Sequence, residues 1–250
     1  MCPRGVSRMK CLYRVYLVFA YYFAISVFLV VSFCVNLLCL IVGLIPGARR
    51  LRYCLRSVLQ FLFRRWACFL GVIRVLNLRT PPKTHKKEKD GEIWVMNHPS
   101  LLDGSYLLKF VTNGFCIYKR EIGGNPLYGA TVKLADYIPN IGGADMVRMA
   151  CDALARGEDL IIFPEGTRST KVNLDNFRPG FALIAKRSKA LINVMWMESP
   201  EDFITRDVPF WKVPKLTAHI VISQINRIDP TALKSVEMIM EAVKQSYRDR

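Results

Sequence analysis

Histidine is scarce in this chain, with three in 250 residues, and none of its eight cysteines forms a Cys-x-x-Cys pair. That leaves little material for a zinc ribbon and no dithiol redox motif, and no metal site is expected. Acidic residues are nearly missing from the first 90 positions, where only Glu88 and Asp90 stand against 16 lysines and arginines, a balance of +14. The remaining residues carry 20 basic and 18 acidic side chains, a balance of +2. Charge of either sign is absent from Val15 to Ala48, a run of 34 residues. No internal repeat is visible, and a hydrophobic share of 52% excludes a disordered or low-complexity protein. Cysteine is not dense throughout, as it is in small secreted scaffolds, and six of the eight lie within the first 68 residues. They read as reduced apolar fillers, with the globular part in a reducing compartment.

A basic, apolar segment joined to a charge-balanced one reads as a membrane anchor joined to a globular domain. As one helix the chargeless run would be about 50 Å long, against a hydrocarbon core of roughly 30 Å. It is long for one span and short for two. Arg4, Arg8, Lys10 and Arg14 precede it, while Arg49, Arg50, Arg52 and Arg56 follow it. The positive-inside rule finds almost no asymmetry there. Two readings stand: a re-entrant or in-plane helical hairpin with both flanks cytoplasmic, and a single tilted span. A cleaved signal peptide is disfavoured, because the run is about twice the usual apolar length.

Leu51–Leu78 mixes Leu, Phe and Trp with Arg56, Arg64, Arg65 and Arg74. That composition suits a helix lying in the headgroup zone, or a helix packed on the globular domain with a solvated basic face. The two are compatible. Nucleic acid is a poor partner for arginines embedded in bilayer-grade apolar sequence. The organisation expected is a membrane-anchoring segment at 1–79 (apolar 15–48, basic and amphipathic 49–78), a polar linker at 80–91, and a globular domain at 92–250.

Beyond the linker, strand-like runs at Glu92–Met96, Phe115–Tyr118, Leu160–Phe163, Leu191–Trp196 and Leu216–Ser223 alternate with helical patterns. Those patterns fall at Asp103–Val111, Pro126–Ala135, Asp145–Arg156, Gly180–Ser188 and Thr231–Tyr247. The alternation predicts an α/β fold with a mixed, largely parallel sheet flanked by helices. In such sheets functional groups gather beyond the strands' C-terminal ends.

Two stretches lie there. The first is Asn97-His98-Pro99-Ser100-Leu101-Leu102-Asp103. Four residues separate His98 from Asp103, enough to fold the carboxylate back onto the imidazole. A carboxylate on one ring nitrogen fixes the tautomer and leaves the other to accept a proton. Alternatively, Asp103 simply caps a helix. The second is Phe163-Pro164-Glu165-Gly166-Thr167-Arg168-Ser169. Gly166 gives backbone freedom and N–H groups, Thr167 and Ser169 donate hydrogen bonds, and Arg168 offers a fork to a phosphate. Glu165 is placed to position Arg168 or a substrate, or only to pair with Arg168 internally.

In this order, about 65 residues apart, the two boxes resemble those of the glycerolipid acyltransferase family that includes the 1-acylglycerol-3-phosphate acyltransferases. Lys119-Arg120-Glu121-Ile122 followed by Pro126 and Gly129 is similar to the family's K-x-E-L…P…G block, and Phe177-Arg178-Pro179-Gly180 to its F-K-x-G block. The resemblance spans roughly residues 92–222. It implies acyl transfer from acyl-CoA or acyl-carrier protein to the hydroxyl of lysophosphatidate or a related lysolipid, at a membrane, with the site on its cytoplasmic face (the inner membrane in a bacterium). His98 would take the hydroxyl proton and Asp103 would orient it. Asn97, Lys119, Arg120, Glu165, Gly166, Thr167, Arg168 and Arg178 would bind substrate, the cations holding the acceptor phosphate. No cofactor is implied beyond the thioester co-substrate. Partners would be membrane lipids and the thioester donor, not nucleic acid. Two departures from the family pattern, Asn193 in place of a proline and Tyr137–Gly143 without the basic residue often found there, are expected near the acceptor and acyl-chain surroundings. A different acceptor, such as a lyso-ornithine lipid, therefore stays open, as do thioester hydrolysis and an inactive lipid-binding scaffold.

Overall fold

The computed structural model of the chain describes residues 4–80, 91–108, 111, 113–169, 171–200, 203–205 and 208–250. Most of the polar linker, at 81–90, lies outside them. Most of the chargeless run lies in a single unbroken helix, α1 (Arg4–Gly43), and the chain then turns through Pro46-Gly47. A short 3-10 turn leads into α2 (Arg52–Val72), which folds back along α1. Phe23 meets Phe69 and Phe28 meets Trp66, so the two helices are antiparallel.

The rest of the chain is built on one seven-stranded sheet. Its strands are β1 (Leu76–Arg79), β2 (Ile93–Met96), β3 (Gly114–Lys119), β4 (Ile138–Asn140), β5 (Asp159–Ile162), β6 (Ile192–Glu198) and β7 (Ala218–Ile228), in the order β1-β7-β6-β2-β5-β3-β4. Every neighbouring pair is parallel except β6 and β7. The fold is therefore α/β with a mixed, largely parallel sheet. Buried on both faces, its central strands read as continuous apolar runs, which makes them legible without alternation.

Two strands escape that reading. β1 occupies the end of a segment expected to be helical, yet it pairs with β7 at Leu76↔Ala218. The correction has a physical cause: four residues are too few for a periodic pattern, and only β7 supplies the partner. β4 is three residues long with Pro139 inside it, tolerated because the strand is at the sheet's edge.

One face of the sheet is covered by α5 (Gly143–Ala155), α6 (Gly180–Ser188) and α7 (Val236–Arg248), around Phe115, Leu160, Phe181 and Val194. The opposite face is covered by α1, α2 and α3 (Asp103–Leu108), around Tyr21, Leu70, Met96 and Tyr106. The helical hairpin is thus half of the core's wall rather than a detached stalk. α1 touches the domain at two distant points. Tyr21 Oη donates to Phe210 O at 2.6 Å, while Asn36 donates to Pro126 O at 2.7 Å and accepts from Thr131 N at 3.0 Å. Asn36 also sits beside the short helix α4 (Gly129–Leu134).

Arg56 departs from the headgroup-zone expectation. It is buried, donating to Glu158 at 2.6 Å, Ala135 O at 2.8 Å and Asp136 O at 3.1 Å. Glu158 also accepts from Arg156 at 2.8 Å and Tyr53 at 3.0 Å. α2 is therefore fastened to the sheet by a saturated ion cluster. Arg64, Arg65 and Arg74 are exposed, as either reading of the helix requires.

Candidate active site

Because β2, β5 and β3 are parallel neighbours, their C-terminal ends share one edge of the sheet. The chain leaving β2 turns at Pro99 and enters α3, and this brings Asp103 back under His98. His98 Nδ1 lies 2.8 Å from Asp103 Oδ2. The Asp103 carboxylate is fully buried and also accepts from Ser100 N at 2.7 Å and from the Ser100 hydroxyl. Burial raises its pKa, against the lowering effect of His98 and Ser100. With Asp103 accepting at Nδ1, the imidazole's Nε2 is the nitrogen left to take a proton. The His98 side chain remains 21% exposed, so a ligand can reach it.

The chain leaving β5 is locked to the same place. Phe163 stacks on the His98 ring with centroids 4.1 Å apart, and Ser169 N donates to His98 O at 2.9 Å. Phe163 stands inside the second box, but the sequence does not disclose this role, because no spacing rule links an aromatic to a histidine 65 positions earlier. Ser100 was likewise missed as the hydroxyl that holds Asp103.

Gly166 is required by its backbone conformation, and its missing Cβ leaves room for a neighbour. Its φ is +66°, and a Cβ there would meet Arg178 Nε at 3.0 Å. The Arg178 guanidinium therefore packs across the turn, fixed further by Arg178 N donating to Pro164 O at 2.9 Å. Glu165 is buried, and its Oε1 has no hydrogen-bond partner among the described residues. Burial raises its pKa, opposed by the backbone of His98 and Asn173. Among the described residues Arg168 has no ion-pair partner, so the internal Glu165–Arg168 pair does not form. Arg168 and Thr167 are half-exposed beside it.

Lys119 ends β3 and Arg120 opens the turn after it, both exposed at the same edge. They stand two strand spacings from β2, about 10 Å. The N–H groups of Ser100, Gly166 and Ser169 are engaged with Asp103, Phe163 and His98, so they are not free to meet a developing oxyanion.

Asn97 has different work from contacting a ligand. It is buried, donating to Met197 O at 2.9 Å and accepting from Met197 N at 2.7 Å, which ties β2 to β6 beyond their ladder. Asn193 also differs from expectation. It pairs in register with Trp94, three residues before Asn97 and thus about 10 Å back along the sheet. There it donates to Glu92 at 2.7 Å, and Glu92 accepts from Arg227 at 2.8 Å. The substitution belongs to a buried polar network at the far end of the strands, not to the acceptor surroundings.

A separate apolar cavity of about 490 Å³ lies between α1, α2 and α4, bounded by Phe28, Val31, Phe63, Trp66, Tyr128 and Tyr137.

Residues 75–198 match the family model described as Acyltransferase. The chain is 30% identical over 139 residues to a 1-acyl-sn-glycerol-3-phosphate acyltransferase of Helicobacter pylori, an alignment covering 53% of this chain and 57% of that one. It is 33% identical over 104 residues to an enzyme of the same name from Cocos nucifera, covering 39% and 34%. The matched part thus spans just over half the length of the first relative and a third of the second. The crystal structure of the 1-acyl-sn-glycerophosphate (LPA) acyltransferase PlsC from Thermotoga maritima superposes with a TM-score of 0.68 at 21% identity, covering 92% of this chain and 90% of that one. At that identity the likeness is one of fold.

Proposed function

Since this chain belongs to the acyltransferase family, we propose that it moves a fatty acyl group from a thioester, acyl-CoA or acyl-carrier protein, to the free hydroxyl of a lysophosphatidate-like lysolipid. The observation that carries the reading is the His98–Asp103 contact at 2.8 Å, with the ring stacked on Phe163 beside the turn that bears Arg168 and across which Arg178 packs. His98 Nε2 takes the acceptor's hydroxyl proton as its oxygen attacks the thioester carbonyl. Asp103, negatively charged, stabilises the imidazolium. The C–S bond breaks, and the departing thiolate recovers the proton from His98. Arg168, Arg178 and Lys119 hold the acceptor's phosphate through charge-assisted hydrogen bonds. The apolar cavity between α1 and α2 has the lining an acyl tail requires.

Membrane seating follows from α1. It is apolar enough to cross a bilayer, but the globular domain flanks it from Tyr21 to Asn36, about 22 Å of its length. A helix flanked that way cannot cross the hydrocarbon there without taking the domain with it. We read α1 as lying along the membrane face, with its Phe19, Phe33 and Leu40, and Leu44 just beyond its end, exposed towards the lipid.

The test uses the full chain in phospholipid nanodiscs, with radiolabelled acyl-CoA and acyl-carrier protein offered against a panel of lysolipids. Lysophosphatidate is expected to be acylated, and His98→Ala is expected to be inactive. Efficient acylation of a phosphate-free lysolipid in preference to lysophosphatidate overturns the acceptor assignment. Thiol release without a lipid product overturns the transfer reaction.

A further inference from the structure

We propose that the turn Pro209–Lys212, in the connection between β6 and β7, is a second bilayer contact. Phe210 and Trp211 enter the interfacial zone of the membrane beside α1 and hold the His98 edge of the sheet towards it. The inference rests on the membrane seating of α1 just described and goes beyond it, because this contact belongs to the globular domain.

Phe210 is 42% and Trp211 62% exposed, with ring centroids 5.1 Å apart. Pro209 and Lys212 are exposed as well, so the whole turn stands out from the domain. Its shape is held from within, Lys212 N donating to Pro209 O at 2.9 Å. Large apolar side chains presented together on a fixed turn mark a contact surface.

α1 identifies what covers the pair. Tyr21 Oη donates to Phe210 O at 2.6 Å, and Tyr22 Oη donates to Trp211 O at 2.9 Å. Adjacent residues of a helix point about 100° apart. Tyr21 is buried against the domain, whereas Tyr22 is exposed. Tyr22 follows Phe19 by three positions and Val15 by seven, the spacing of one helix face, and both of those are exposed too. The turn therefore climbs from the domain side of α1 at Phe210 to the border of its lipid-facing stripe at Trp211. A surface continuous with that stripe meets the same partner, the bilayer. Tryptophan and tyrosine are the residues favoured where hydrocarbon gives way to headgroups. Lys212, directly after Trp211, supplies a cation at the level of the phosphates.

The contact also bears on His98. β6 runs parallel to β2 and ends at Glu198, which pairs with Val221 near the start of β7. The connection between β6 and β7 thus crosses the edge at which β2 ends. Leu101, between His98 and Asp103, donates its N–H to Ile204 O of that connection at 3.1 Å, and its side chain is exposed. A helix lying in the membrane plane leaves the protein free to roll about the helix axis. A second contact away from that axis removes the roll, and one on this connection turns the His98 edge to the lipid.

The full chain is placed in phosphatidylcholine nanodiscs whose acyl chains do or do not carry bromine. Trp211 emission is read as the difference between the native chain and Trp211→Phe. Brominated lipid is expected to remove most of that difference, and bromine near the carboxyl end of the acyl chain to quench it more than bromine near the methyl end. Alkylation of Cys34, exposed on α1, by a membrane-impermeant maleimide reads the seating of α1 independently. Protected Cys34 with Trp211 unquenched overturns this contact and keeps the seating. If Trp211 is then also shielded from aqueous acrylamide, the turn covers protein instead of lipid. Freely alkylated Cys34 overturns the seating and this proposal with it. The F210S/W211S variant should lower kcat/KM about three- to tenfold on a bilayer-embedded lysolipid, through the apolar area it withdraws from the membrane, and leave turnover of a short-chain, water-soluble lysolipid unchanged. Equal loss on both substrates overturns the proposal, since the turn then only braces the fold. Absence of acyl transfer alongside quenching of Trp211 overturns the proposed reaction alone.

Discussion

Two fully enclosed carboxylates, Asp103 at the catalytic edge and Glu158 at the seam between α2 and the sheet, are handled in opposite ways. Burial raises the pKa of both. At Glu158 it is more than offset by hydrogen bonds from Arg156 and Arg56, and the carboxyl is held below its usual range. At Asp103 the partners are one imidazole and one serine, and the carboxyl stays above its usual range. A carboxylate that only fastens two elements is surrounded by permanent cations. One that must steady a charge arising during a reaction is left with a partner that becomes cationic only then.

The largest test of this contrast is His98→Ala. It should lower acyl transfer by about 10²–10⁴-fold, the usual cost of losing an aligned general base. The ring stands in a loop at the rim of the sheet with 21% of its side chain exposed, so circular dichroism should be unchanged and Tm should fall far less than activity. Asp103→Asn should also be severe in kcat without loss of Tm, because it removes a charge that burial disfavours. A drop in Tm comparable to that of a core mutation would place Asp103 with Glu158, as a fastener.

Glu158→Ala should do the reverse. It leaves Arg56 buried without its counter-charge, at a cost of about 3–5 kcal/mol. The readout is a fall in Tm on the order of 10 °C. Activity should be lost only as far as α2 loosens.

Arg168→Ala should raise the acceptor KM, or lower kcat/KM, on the order of ten- to a hundredfold. The thioester KM should stay nearly unchanged. Arg168→Lys should recover part of the loss, since an ammonium cannot form the bidentate contact. Equal effects on donor and acceptor would mean that Arg168 holds the turn instead.

Acidification gives the smallest and most graded contrast. Asp103 has a raised folded pKa, so its protonation begins first as pH falls; this relieves the fold while disarming His98. Glu158 has a depressed folded pKa. Its contribution to stability is present above the unfolded value of about 4.3 and is lost as pH falls through the lower, folded value. Activity should therefore fall, reversibly, at a higher pH than the unfolding seen by fluorescence. Coincident transitions would erase the distinction between the two carboxylates.

The central strands and both boxes were legible because each is a local pattern: a buried run bounded by turns, or a histidine and an aspartate at fixed spacing. β1 and β4 were not, since strands of four and three residues carry no period of their own. Asn97 and Asn193 were legible as polar residues in unusual places, but not as ties. Their partners, Met197 and Glu92, are about 100 positions distant in sequence. Phe163 was visible as part of a box and invisible as the surface on which His98 rests.

Sequence alone determined that one segment is apolar enough to seek lipid, that the rest is an α/β sheet, and that a histidine–carboxylate pair and a glycine–arginine turn follow its strands. Each of these depends on residue chemistry and near-neighbour spacing, which the chain carries everywhere it goes. Tertiary structure alone decided that Arg56 is buried while Arg64 and Arg74 stay exposed, and that α1 lies against the domain through Asn36 rather than standing away from it. The pairs responsible, Arg56 with Glu158 and Asn36 with Pro126, are 102 and 90 residues apart. A cation's fate depends on which distant carboxylate the fold brings to it, and no local pattern encodes that meeting.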